Sequence, residues 1–262
     1  SPPSPPSPPI SPPPPDCRLP GEYVGLDFYN AAVKYSNLGG LGPDTSAALE
    51  AIRFGNVGYT NKTESGDPDE STRFDLLVEI ASGSTYIPAN SANNKIPDGS
   101  YFGQINMAVP TSDSFGFCPG EQSTRFKFSF INTHTDAEVT LGNFQMSFLD
   151  FDEGYGGKSR ECILSEDHHS ADTVADSEVT QTAIDAGTRY CASTQGTGGD
   201  NPNNPLALNE QQQKRTVTFD FANTQAFYIN MIVLTCGSGG RNFMFSGEAD
   251  VLPLCDSPPP LP

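Results

Sequence analysis

Arg125-Phe126-Lys127-Phe128-Ser129-Phe130-Ile131 is the stretch that decides the fold. Phenylalanines at every second position put three rings on one side of an extended chain. Arg125, Lys127 and Ser129 take the other side, which is the period of a half-buried strand. Just downstream, Val139-Thr140-Leu141 and residues 144–151 continue the pattern across Gly142-Asn143, read as a turn or bulge. Upstream, residues 23–29, 51–58, Arg73–Ile80 and 101–109 carry the β-branched and aromatic residues of strands. Residues 216–221, 226–235 and 242–251 supply three late strands. The region 152–215 is polar and acidic, with only Val179–Ile184 reading as strand, and residues 45–50 read as a short helical turn. About ten strands with almost no helical period predict an all-β domain, a two-sheet sandwich of jelly-roll type.

Charge narrows the partners. The 262 residues carry 14 basic and 32 acidic side chains, a net −18. That argues against nucleic acid, which needs a basic surface, and equally against an anionic membrane surface. No run of eighteen apolar residues is present, so no membrane-inserting helix is expected. The balance suits a solvated extracellular surface or one that recruits divalent cations. Tryptophan is absent, so any ring stacking on sugars falls to the 9 tyrosines and 17 phenylalanines. A chain opening on Ser1 without methionine reads as processed.

The six cysteines are Cys17, Cys118, Cys162, Cys191, Cys236 and Cys255, and none forms a Cys-x-x-Cys pair. That disfavours a structural zinc site. An even count in an acidic, Pro/Gly-rich chain reads as three disulfides formed in an oxidising compartment, with fifteen connectivities open. Cys17 with Cys255 would hold the two ends together, and Cys162 with Cys191 would staple the loop between them.

The ends have a different chemistry. Ten of the first fifteen residues, SPPSPPSPPISPPPP, are proline, and the motif returns as Ser257-Pro258-Pro259-Pro260-Leu261-Pro262. Proline fixes φ and donates no backbone hydrogen bond, so these segments are expected as polyproline II rods, the first roughly 45 Å long. Ser1, Ser4 and Ser7 recur at the rod's own period of three, with Ile10 next in register. The organisation expected is a rod over 1–16, a disulfide-stapled sandwich over 17–255 and a Pro-rich tail over 256–262.

Several motifs bear on chemistry. Asp150-Phe151-Asp152-Glu153-Gly154 begins a twelve-residue stretch that ends on Glu161. Paired acids, a glycine bend and an acid at the twelfth position resemble a calcium loop. Glycine at the fifth position and Tyr155 at the sixth depart from the EF-hand pattern, and the flanks read as strand. Asp150, Asp152 and Glu161 are therefore expected as oxygen ligands of a structural Ca²⁺ in a β-type loop, with Asp44 and Asp27 as weaker candidates. Glu166-Asp167-His168-His169, with Asp172 and Asp176, reads as a polar loop, because adjacent histidines on extended chain point to opposite sides; His134 stands in a turn. Asn61-Lys62-Thr63 is an N-glycosylation sequon in an exposed polar stretch. No nucleophile elbow, zincin or dinucleotide motif is present, so the expectation is a non-enzyme.

The Ser-Pro-Pro repeats resemble the hydroxyproline-rich extracellular glycoproteins of algae and plants. A cysteine-containing globular domain between Ser/Pro rods resembles pherophorins and the glycoproteins of flagellar hairs (mastigonemes). The resemblance covers about twenty residues at the two ends. It implies hydroxylation and O-glycosylation at Pro2, Pro3, Pro5, Pro6, Pro8, Pro9, Pro12, Pro13, Pro14 and Pro15, and at Pro258, Pro259 and Pro260. It implies O-glycans on the hydroxyls of Ser1, Ser4, Ser7, Ser11 and Ser257 as well. A tail abutting the head of the next copy makes a continuous rod, and a head-to-tail contact of this type does not have to close. The sequence thus predicts a secreted structural glycoprotein that polymerises with copies of itself through glycan-bearing rods clasped by β-sandwiches. The alternative is a calcium-dependent carbohydrate-binding or adhesion module on a Pro-rich stalk.

Overall fold

The computed structural model describes residues 23–112, 120–247 and 249. The body, Glu22–Val251, forms one unit; Ser1–Gly21 with Leu252–Pro262 form the other and lie outside the described residues, as do the expectations about rods and their glycans. Cys17, Cys118 and Cys255 lie outside them too.

Thirteen strands are present among the described residues: β1 (Ala32–Ser36), β2 (Ala51–Tyr59), β3 (Arg73–Ile80), β4 (Gly103–Ala108), β5 (Glu121–Asn132), β6 (Leu141–Leu149), β7 (Arg160–Ser165), β8 (Ser170–Asp172), β9 (Val179–Ile184), β10 (Gly187–Ala192), β11 (Val217–Thr224), β12 (Ala226–Leu234) and β13 (Gly240–Ser246). An eight-stranded sheet runs β1-β2-β3-β5-β12-β7-β10-β9, and a five-stranded sheet runs β4-β13-β6-β11-β8. Every ladder between these strands is antiparallel. The fold is the expected all-β sandwich.

The phenylalanine alternation places the core. Phe126, Phe128 and Phe130 of β5 are fully buried. Phe128 stacks on its cross-strand partner Phe227 at 5.1 Å and meets Phe245 of the opposite sheet edge-on at 5.4 Å. Phe130 likewise meets Phe144 of the opposite sheet at 5.0 Å. Rings from both inner faces therefore interdigitate, in the edge-on geometry that aromatic quadrupoles favour. The other side of β5 is less polar than its alternation predicts. Ser129 and Ile131 are buried, and Ile131 joins Ala51 and Leu77 in a small apolar cluster outside the main core.

Four expectations are corrected. Residues 23–29 form no regular strand: Tyr23 bridges Asn143 of β6, while Asp27 N–H donates to the Val57 carbonyl of β2. This segment bonds to both layers, so it cannot continue either ladder. Residues 45–46 form a single turn, closed by the Ala47 N–H on the Asp44 carbonyl, and 47–50 are bends rather than helix; Gly142-Asn143 lie inside one continuous strand, β6. The polar region 152–215 holds β7, β8 and β10 besides β9, and a short helix α1 (Glu210–Lys214). Cys162 and Cys191 face each other directly across the β7–β10 ladder and form the expected disulfide, with Cα atoms 4.0 Å apart. Cys236 is disulfide-bonded as well.

Candidate functional site

The Asp150–Glu161 stretch leaves the end of β6 and returns as β7, with a glycine-rich turn between. Gly154 and Lys158 close that turn by a backbone bridge, in which Gly154 N–H donates to the Lys158 carbonyl at 2.6 Å. Gly156 and Gly157 both take left-handed φ values, near 70° and 73°, which side chains resist. The turn holds Tyr155 out in solvent, 87% exposed. Ser159 also has a left-handed φ of 55°, uncommon outside glycine and typical of sites where the surroundings over-determine the backbone. Gly237 packs against it; a side chain there would run into the Ser159 hydroxyl.

Tyr155, Lys158 and Ser159 form one wall of an open cleft of about 770 Å³. Ser112, Thr235, Ser238 and Arg241 line the rest, with the backbone of Gly237 and Gly240. The lining mixes apolar and polar surface: four hydroxyls, the glycine backbone and Cys236 stand beside one exposed aromatic ring and two cations.

Behind the cleft the acids of the motif do converge, but on an arginine. Arg241, on β13, donates from Nε to Glu161 at 2.8 Å and from its terminal nitrogen to the Asp152 carbonyl at 3.1 Å, and pairs with the Asp152 carboxylate. Glu153 pairs with Arg160 at 2.6 Å. Gly196 lets the 195–197 loop close over Asp152, since a side chain at that position would strike its carboxylate. A second arginine, Arg215, reaches Glu178 at 2.9 Å, the Gln195 carbonyl at 3.3 Å, and Asp200, and so anchors the Gly/Asn-rich loop.

Asp150 stands apart from these pairs. It takes φ 63° at the end of β6, and its Oδ1 is buried without a hydrogen-bond partner. Burial, reinforced by the nearby charge of Asp200, pushes its carboxyl up to about 7, against the opposing pull of Arg215 and Arg241. Burial and the charge of Asp150 oppose ionisation of Glu161, and the Nε–H of Arg241, 2.8 Å away, offsets them.

Among the described residues no three His, Cys, Asp or Glu side chains group as metal ligands. The guanidinium of Arg241 supplies the positive charge that a cation would bring to Asp152 and Glu161. Asp27 accepts from the Tyr29 N–H and from Asn30, and Asp44 accepts from Ser46; each lies in its own turn, and neither joins a group of three candidate ligands among the described residues. EDTA is therefore expected to leave the melting temperature unchanged. A fall of several degrees, restored by Ca²⁺, would show instead that these acids hold an ion.

His168 packs edge-on against Phe219 at 4.9 Å, and burial lowers its pKa, whereas His169 is exposed; the adjacent histidines do part. His134 lies in a turn against the Glu70 carbonyl, 2.9 Å away. Asn61 lies exposed in its polar loop, as an acceptor of N-glycan must. Arg241, Arg215 and Ser159 were not singled out by the sequence. The one signal for the two arginines is scarcity, because only 14 basic residues serve 32 acids and an arginine near the start of the apolar strand β13 stands out.

These features define an antiparallel β-sandwich with a polar, loop-built cleft on one edge and an arginine-centred acid network behind it. No protein-family model matches the chain, and no curated protein does. Among solved structures it is similar to the N-terminal domain of the Streptococcus gordonii adhesin Sgo0707, with TM-score 0.45 and 12% identity over 89% of this chain and 63% of that one. It is also similar to the glucan binding protein C of Streptococcus mutans, with TM-score 0.41 and 11% identity over 81% of this chain and 62% of that one. The chain thus spans less than two thirds of either of those chains.

Proposed function

We propose that this protein is an extracellular carbohydrate-binding module of adhesion type, without enzymatic activity, carried between Pro-rich ends. The observation that carries this reading is the cleft. Its four hydroxyls and glycine peptide groups can bond the hydroxyls of a saccharide, and Tyr155 offers an exposed ring for the apolar face of a sugar. Disulfide formation agrees with an oxidising compartment. The non-enzyme part of the reading is supported by Asp152 and Glu161 being tied to Arg241.

A glycan-binding screen on the purified protein tests the reading. Saccharide binding that Tyr155→Ala weakens about tenfold, equivalent to about 1.4 kcal/mol, is the expected result. Saccharide binding untouched by Tyr155→Ala and Lys158→Gln would remove the cleft as the site. The filament reading rests on the periodic Ser-Pro-Pro ends. Electron microscopy of native material tests it separately, and dispersed particles with unmodified prolines would end it.

A further inference from the structure

Tyr29 is the second large aromatic left in solvent, 63% exposed, and its setting differs from that of Tyr155. The residue before it, Phe28, is 2% exposed and packs edge-on against Phe54 and Phe245 in the core. Tyr101 is held in the same way. Its neighbour Phe102 is buried, its N–H donates to the Asn203 carbonyl at 3.1 Å, and its carbonyl accepts from Ser246 at 3.3 Å. The two segments meet because Gly103 has no side chain, which leaves room for Phe28 and Phe245. The rings of Tyr29 and Tyr101 then pack together, centroids 4.5 Å apart and tilted by 49°. Tyr101 braces one side of Tyr29, which as a whole stays 63% exposed.

An exposed ring fixed from behind is a preorganised stacking surface, because little side-chain freedom remains to be lost on binding. The polar groups beside it select among ligands. Asp27 accepts the Tyr29 N–H at 2.7 Å on one oxygen and the Asn30 amide at 3.1 Å on the other. An ionised carboxylate has about four acceptor positions, so capacity remains for further donors. An acceptor rim next to a ring face calls for a ligand with an apolar face and a fringe of hydroxyl donors. A pyranose has both. A polyproline segment has the apolar face but no N–H on its prolines. An acidic sugar would meet the charge of Asp27 on a chain of net −18.

We propose that Tyr29, braced by Tyr101 and rimmed by Asp27 and Asn30, is a second saccharide site, selective for neutral pyranosides. It shares the ligand class of the cleft reading but none of its residues. Two sites on one module allow a single polysaccharide, or two, to be held with avidity.

The test is a titration of the ¹³C-tyrosine-labelled full chain, wild type and Tyr155→Ala, with neutral gluco- and galacto-oligosaccharides and, separately, a Ser-Pro-Pro peptide. The expected result is a saturable shift of the Tyr29 and Tyr101 ring signals that survives Tyr155→Ala. Tyr29→Ala should weaken that binding about tenfold. Asp27→Asn, which keeps the size of the side chain, should weaken it less. Binding to wild type that vanishes in Tyr155→Ala, with the Tyr29 signals unmoved, overturns this site and leaves the cleft reading standing. No saccharide binding to either protein overturns both. Ring shifts produced by the peptide and not by the sugars overturn it in favour of a proline-rich ligand.

Discussion

Asp150→Asn is expected to raise the melting temperature at pH 8 and to leave it unchanged near pH 4. Asp150 has a buried oxygen without a partner and a carboxyl pushed up to about 7 by burial and by Asp200, while the unfolded chain's aspartate releases its proton near pH 3.9. Between those values the folded state holds more protons than the unfolded state, so stability falls as pH rises. The protonated form's advantage is complete below the unfolded value and is lost by the time pH has risen through about 7. Asparagine is neutral throughout, matches aspartate in size and tolerates the left-handed backbone found here. The variant should therefore gain on the order of 2–4 kcal/mol over wild type at pH 8. Thermal melts of both proteins from pH 4 to 8 decide the matter. A difference that does not grow with pH would mean that Asp150 is hydrated and titrates normally.

Arg241→Met should cost about 3–5 kcal/mol at pH 8, the usual penalty for stripping a buried acid of its partner. The methionine fills much of the volume of the arginine stem but leaves Asp152 and Glu161 without their cation. Both acids are nearly inaccessible, at 9% and 4% exposure, so water cannot replace the lost bonds. The loss should shrink as pH falls, because the freed carboxyls take up protons. Adding Asp152→Asn and Glu161→Gln should recover much of the stability, since replacing both sides of a buried ion pair is often close to neutral. Urea denaturation of the single and triple variants measures this. Equal, pH-independent losses in the two would show that the arginine acts through packing alone.

The sandwich was legible wherever one face of a strand is wet. In β5 the polar residues Arg125 and Lys127 stay on the surface, so the period of two survives in the sequence. In β7 it does not. Ile163 faces the core, while Cys162 on the other side packs with Cys191 and Ile232 in a second apolar cluster. With both faces covered, only a short apolar run remains, and it is lost in an acidic region. Residues 23–29 failed for the opposite reason. Leu26 and Phe28 are buried, but the backbone bonds of the segment are divided between two sheets. Composition reports burial and cannot report which partner a backbone group finds.

The site was legible in part. The acids of the Asp150–Glu161 motif do come together, as their spacing implied. What the spacing could not show is that an arginine some eighty positions later supplies the countercharge, at a sequence separation of 80 from Glu161. In a chain with 32 acids, the few that are buried look like the many that are solvated. The tyrosine pair was equally hidden, because it depends on a glycine making room for two phenylalanines behind it.

The Cys162–Cys191 disulfide has a mechanical side. Its cysteines are 29 positions apart, and the segment between them includes β8 and β9. A cross-link between facing neighbours takes that whole segment off the path along which tension travels from one end of the chain to the other. At about 3.4 Å per residue, roughly 100 Å of contour length stays stored even if the strands around it are torn apart. For a bead loaded in series within a wall or on a surface, the bond is a strain limiter. It caps how far each unit can stretch, and reduction lets out the slack.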